Sequence, residues 1–319
     1  MSVDMKRKGM GFPRFKNRYR MRSFVYPQLG KGQLLRENQI KLPQLGWLEY
    51  VKSREIPDGF VVKQARIVRK ASGYFVQLAL ECDVSVPDIM PHGHPVGIDL
   101  GLDKFVATSE GLVVDRPRFM EILHCKLKLL QRRLKNKEKG SNNRHKLNRK
   151  IARLHQRISD TRKDWHFKLA HKLCDDAGMI FVEDIDFRVW AAGMFGKHTL
   201  DAGFGQFINI LQWVCWKRGV YFAKVDAYYT SQVCPQCDSH TGKKELGIRI
   251  HSCPECGYTV HRDIAAAQIV RNRGVSGVGR ILDVKENACG DGLTGTGDRL
   301  VKNPRSRKKG GEARLKTAL

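Results

Sequence analysis

Four cysteines carry the plainest chemistry in the chain. Cys234-Pro-Gln-Cys237 and Cys253-Pro-Glu-Cys256-Gly257 are separated by fifteen residues, an interval at which two C-x2-C knuckles close on one ion. Four thiolates make a complete tetrahedral set for Zn2+, and Gly257 permits the tight turn whose amides point at sulfur. Either pair alone could be a redox dithiol; a second matching pair favours structural coordination. Such a zinc holds a small ribbon together, so hydrolytic chemistry belongs elsewhere in the chain. Cys82, Cys125, Cys174, Cys215 and Cys289 are scattered singly. They read as core or incidental thiols without a disulfide framework.

Three carboxylates form the second constellation. Asp99 stands at the end of the apolar run Val96 to Leu100, just before Gly101, and Glu183 holds the matching place after Met179 to Val182. Asp263 opens a stretch, His261 to Val270, whose small residues suit a helix packed closely on a sheet. Each acid alone has a plain explanation in turn formation or helix capping. Together, in a chain that should attract polyanions, they point to convergent ligands for two Mg2+ or Mn2+ ions, an arrangement that hydrolyses phosphodiesters. Without metal the same acids would repel the phosphate they must bind.

The elements that must position these residues follow from the apolar pattern. Gly46 to Val84 is rich in β-branched and aromatic residues, with a hairpin expected from Val61 to Val68 and Tyr74 to Leu80. Pro87, Pro91, Gly93 and Pro95 read as a linker. Strands are expected at Val96–Leu100, Lys104–Ser109, Met179–Val182 and Val220–Val225, and helices at Met120–Lys135, His145–Leu173 and Phe204–Arg218. Leu147, Ile151, Leu154, Ile158, Trp165, Leu169 and Leu173 stripe one face of the second helix, and Arg and Lys fill the others. The order of strands and helices predicts an α/β or α+β layer fold with helices packed on a central sheet, of which α/β is the expected class.

Charge narrows the partners. Lys and Arg number 58 against 32 Asp and Glu, a net charge of +26 spread along the whole sequence. Such a field selects for nucleic acid. No run approaches the ~20 apolar residues of a spanning helix, and no lipidation signal is visible, so a membrane is not expected as a partner. Met1 to Tyr19 is basic without the apolar core of a secretory signal, which predicts a cytoplasmic protein.

In order along the chain, Gly97-Ile-Asp99-Leu-Gly101, Phe181-Val-Glu183-Asp184-Ile185, Tyr229-Thr-Ser-Gln-Val-Cys234 with its knuckles, and Arg262-Asp263-Ile-Ala-Ala-Ala267 resemble the TnpB family. That family comprises transposon-encoded proteins related to Fanzor and the type V CRISPR effector nucleases. The resemblance covers about Gly9 to Gly274. It implies an RNase H-like core of the RuvC type, interrupted by the zinc ribbon, with Asp99, Glu183 and Asp263 as catalytic metal ligands. It also implies an endodeoxyribonuclease, often described as a transposase, whose partners are DNA and a transposon-derived guide RNA.

The domain organisation expected on this basis is a basic amino-terminal segment of a wedge module at 1–45 and a barrel-like β wedge at 46–90. The nuclease core occupies 91–228, with a helical hairpin at 120–173. A zinc ribbon at 229–260, a closing helix at 261–283 and a disordered basic tail at 284–319 complete it. Family members usually begin with a longer amino-terminal region, and this chain opens near Gly11-Phe-Pro-Arg-Phe-Lys16, so the resemblance implies a shortened wedge. His261-Arg-Asp263 stands where the family often has Asp-Arg-Asp. The competing expectations are a non-catalytic nucleic-acid-binding relative acting as a repressor, and a transposase that joins strands itself.

Overall fold

The computed structural model describes residues 21–29, 34–83, 88–245, 247–289 and 317–318. The basic leader ahead of residue 21, part of the proline-rich linker, and the tail beyond Cys289 apart from 317–318 lie outside them. The described residues fall into two compact units, the first ending at Val86 and also holding 317–318, the second running from Pro87.

In the first unit, β1 (Ser23–Tyr26), β5 (Val61–Arg69) and β6 (Tyr74–Glu81) make an antiparallel sheet, with Thr317–Ala318 beside β6. A second antiparallel sheet joins β2 (Leu35–Arg36), β3 (Gln39–Leu42) and β4 (Gly46–Glu49). Leu29, Ile40, Leu42, Ala65 and Ile67 form their shared apolar cluster. The hairpin β5–β6 lies where alternation places it. By contrast β1, β2 and β3 lie ahead of Gly46, in strands of two to four residues, too short to display a period of two amid basic residues.

The second unit is built on a five-stranded sheet of β7 (Pro95–Asp99), β8 (Lys104–Thr108), β9 (Val113–Asp115), β10 (Met179–Glu183) and β11 (Tyr221–Val225), in the order β11-β10-β7-β8-β9. The first three strands form an antiparallel meander, and β10 and β11 then add parallel to β7 on its other edge. This is an α/β fold with a mixed sheet. Side chains alternate between faces along a strand. Val96 and Ile98 of β7, with Ile180 and Val182 of β10, join the main core beneath α2 (Asn142–Leu173) and α5 (Phe204–Arg218). Gly97, Asp99, Phe181 and Glu183 therefore belong to the opposite face, which α6 (Arg262–Cys289) covers.

Two glycines allow that cover. A Cβ at Gly97 would stand 2.0 Å from the Ala267 carbonyl oxygen of α6, and one at Gly274 would stand 2.2 Å from the Phe181 ring. Helix and sheet thus meet backbone to backbone, and the alanines 265–267 are buried at the contact. The helix continues to Cys289, past the expected end at 283, because Ile281 to Cys289 contains no Gly or Pro to stop it.

The basic hairpin consists of α1 (Glu121–Lys135) and α2. Ser141 caps α2 by accepting from the Arg144 amide at 3.2 Å, so the helix starts three residues before His145. The Arg144 guanidinium donates back to the carbonyls of Leu134 and Lys137 at 3.0 and 2.9 Å, closing the turn on the end of α1. Leu154, Ile158, Leu169 and Leu173 of the stripe are buried. His166 is buried with them, bonded through Nε2 to the Ala202 carbonyl at 3.0 Å, and burial lowers its pKa to about 4. Two of the scattered thiols, Cys174 and Cys215, meet in this core with sulfurs 3.5 Å apart. Short helices α3 (Phe187–Ala192) and α4 (Gly196–Ala202), absent from the sequence reading, connect β10 to α5.

Candidate functional site

The acids on the α6 face come together through strand register. Val182 is the partner of Ile98 in the parallel pairing of β10 with β7, and Glu183 and Asp99 each follow by one residue. Two parallel strands thus deliver two carboxylates side by side at their carboxyl ends, where open α/β sheets place their ligands. Asp263, in the first turn of α6, supplies the third. Its charge and that of Glu183 both act on Asp99.

Burial and neighbouring acids outweigh the flanking cations at Asp99. Burial, then Glu183, then Asp263 push Asp99 well above the ordinary carboxylate range, against the Leu100 amide and the Arg262 guanidinium. Burial also raises Glu183, against a hydrogen bond with the Thr230 hydroxyl and the charge of Arg273. Glu183 is only 7% exposed, and its Oε1 has no hydrogen-bond partner. A buried carboxylate oxygen without a partner costs free energy unless something outside the chain occupies it. Asp263 is partly accessible, and its Oδ2 lies 3.9 Å from His261 Nδ1. The three side chains share one pocket of field without closing tightly. Among the described residues, only the four ribbon cysteines have ligand atoms all within 4.8 Å of one another.

Those cysteines are Cys234, Cys237, Cys253 and Cys256. Cys234 lies 3.6 Å from Cys256 and Cys237 lies 3.6 Å from Cys253, sulfur to sulfur. A zinc tetrahedron with Zn–S of about 2.3 Å has edges of about 3.8 Å, so the cluster is compatible with one structural zinc. Each knuckle turns in the same way: the amides of Asp238 and Gly257 donate to the carbonyls of Cys234 and Cys253, both at 3.0 Å. Gly257 takes φ +73° as its residue type predicts, whereas the first knuckle places Asp238 there at φ +56°, a left-handed position that Asp tolerates better than most side chains.

The ribbon also holds the third acid. Its strands β12 (Ile250–Ser252) and β13 (Thr259–His261) end where α6 begins. Tyr258 donates to Gln268 at 3.0 Å, and Asn272 donates to the Pro235 carbonyl at 2.9 Å, so ribbon and helix dock along three turns. Thr230 and Arg273, the residues that touch Glu183 or bear on it, were not singled out from sequence. Thr230 lies in the segment leading to the first knuckle, which is a local signal. Arg273 has none, because only the packing of α6 brings it near.

The profile of a family described as "Probable transposase" matches residues 79–191, and that of the "Cas12f1-like, TNB domain" matches residues 204–270. The chain is 33% identical over 280 residues to "Putative RNA-guided DNA endonuclease InsQ" of Escherichia coli (strain K12), covering 82% of this chain and 68% of that protein. It is 29% identical over 318 residues to a "Putative RNA-guided DNA endonuclease" of Streptomyces pristinaespiralis, covering 95% and 75%. A solved Cas12f1–sgRNA–target DNA complex superposes on 67% of this chain and 46% of its own at a TM-score of 0.48 and 17% identity. The chain belongs to the TnpB family. No helix among the described residues is long and apolar enough to cross a membrane.

Proposed function

We propose that this chain is a transposon-associated, RNA-guided DNA endonuclease whose Pro87-to-Cys289 unit is an RNase H-like core of the RuvC type. The sheet order supports that reading, with a three-strand meander followed by two parallel strands. The observation that carries the active-site assignment is the unpartnered Oε1 of Glu183, buried on the sheet face that also holds Asp99 and that α6, with Asp263 in its first turn, covers. Hard carboxylate oxygens gathered around a buried position are the donor set for Mg2+ or Mn2+. The ions, when bound, neutralise charge at phosphorus and lower the pKa of water.

The chain's own residues do the rest. Asp99, Glu183 and Asp263 would hold the ions. Arg262 and Arg273 flank the acids with positive charge, which draws a phosphate toward carboxylates that would otherwise repel it. The basic faces of α1 and α2 track a nucleic-acid backbone. Cys234, Cys237, Cys253 and Cys256 hold the structural zinc, and the protein works in the cytoplasm.

The test is cleavage by purified protein loaded with RNA transcribed from the flank of its own element and supplied with Mg2+. DNA matching the guide is cut by the parent, and Asp99→Ala abolishes cutting while nucleic-acid binding persists. Cutting by Asp99→Ala at the parental rate refutes the assignment. Binding by the parent without cutting in any divalent ion favours the non-catalytic reading.

A further inference from the structure

From the loop between β11 and the first zinc knuckle, we infer that Tyr228 and Tyr229 are a stacking platform for unpaired bases of the DNA strand whose phosphate the carboxylates receive. The two rings lie edge to face with centroids 4.4 Å apart, and they are 66% and 48% exposed. Rings this exposed are not core residues; their ring contacts are with each other and, for Tyr229, with His240. Tyr229 takes φ +57°, a left-handed conformation that is strained for a bulky side chain and persists only where the surroundings enforce it.

The enforcement is visible. The Arg273 guanidinium donates to the carbonyls of Asp226 and Tyr228 at 2.8 and 2.7 Å. The Tyr228 amide donates to the Asp226 carboxylate at 3.0 Å, and the Gln232 amide donates to the Tyr229 carbonyl at 2.9 Å. The His240 ring packs against Tyr229 with centroids 5.5 Å apart. This scaffold adjoins the acids, because Val225, three residues before Tyr228, is the register partner of Glu183, and the charge of Arg273 acts on Glu183. Three residues lead from Val225, beside the buried carboxylate's strand position, to Tyr228, and consecutive Cα atoms are ~3.8 Å apart, so a base on the platform lies within a nucleotide or two of the site.

The ligand class follows from chemistry. Aromatic faces beside a cationic groove bind single strands by stacking, tolerant of sequence, since every base has a π-face. A duplex hides those faces, so the occupant is an unpaired strand. That the strand is DNA rests on the nuclease reading above.

The experiment titrates the full-length protein into a single-stranded oligodeoxythymidine carrying one 2-aminopurine, with Ca2+ in place of Mg2+. Binding and base stacking are then read without cleavage. Stacking contributes about 1–3 kcal/mol per base, so the double substitution Tyr228→Ala/Tyr229→Ala should weaken binding about 5- to 150-fold and abolish the fluorescence change. Tyr228→Phe/Tyr229→Phe should restore both, because the ring and not the hydroxyl carries the contact. Alanine variants that bind within twofold of the parent overturn the proposal, as do phenylalanine variants that lose as much as alanine. A larger loss on the matching ribonucleotide strand overturns the assignment to DNA. A parent that binds through the tyrosines yet never cuts refutes the nuclease reading and leaves the platform standing. A parent that cuts, with alanine variants that bind and cut equally well, refutes the platform alone.

Discussion

Substituting alanine for Gly97 should separate α6 from the sheet. The added Cβ would stand 2.0 Å from the Ala267 carbonyl oxygen and 2.5 Å from the Arg271 amide nitrogen. Ordinary contact begins at 3.4 Å, so the helix must retreat by about 1.4 Å. An extra methyl forced into a packed core costs about 1–3 kcal/mol. Both obstacles here are backbone and cannot swing aside, which places Gly97→Ala at about 3 kcal/mol, a large part of the ~5–15 kcal/mol that stabilises a domain. Asp263 lies one helical turn before Ala267 and would move with it, and a ~1 Å misplacement of a catalytic group can cost ~100-fold in rate. Denaturant unfolding and guided cleavage would be compared with Gly277→Ala, an exposed site on the same helix where an added Cβ meets nothing within 4 Å. That control should gain up to ~1 kcal/mol from helix propensity. A midpoint for Gly97→Ala within the error of the parent would refute the close-packing argument.

Metal-free Asp99→Asn protein should melt at a higher temperature than the parent at pH 7. Burial and two neighbouring acids raise the carboxyl in the folded state, so stability is fully present below the unfolded value of 3.8 and is lost as pH rises through the folded pKa; calorimetry at several pH values checks the sign. His166 works in the opposite sense. Its folded pKa of about 4 lies below the ordinary 6.5, so stability should fall by up to about 3 kcal/mol as pH drops from 6.5 to 4, and His166→Phe should flatten that slope in urea titrations. Elemental analysis should find one zinc per chain. Cys253→Ser should lose the metal and weaken protection of the 229–261 amides in hydrogen exchange before the rest of the unit opens.

The sheet was legible because Val96–Leu100 and Met179–Val182 are apolar runs with no helical period, each ending in an acid, and the ribbon because cysteine spacing is itself the geometric constraint. Alternation along β7 and β10 then explains why Asp99 and Glu183 share a face, a step available from sequence once the pairing is known. Other features depend on packing that no local pattern encodes. Gly97 and Gly274 mark the approach of α6 only after helix and sheet have met. Arg273 reaches Glu183's surroundings across ninety residues of chain. Cys174 and Cys215 are single thiols in sequence and neighbours in the core. The helices α3 and α4 escaped notice because six or seven residues hold too few turns to show a stripe.

Because the ribbon is threaded between β11 and α6, the three acids do not become available at the same moment. Two arrive with the sheet itself, by strand pairing alone. The last is delivered by a helix that follows directly on β13 of the cysteine ribbon and is pinned to that ribbon through Tyr258 and Asn272. Under the proposed nuclease reading, a chain lacking zinc would leave the third acid untethered, so zinc supply would govern how many copies can cut DNA.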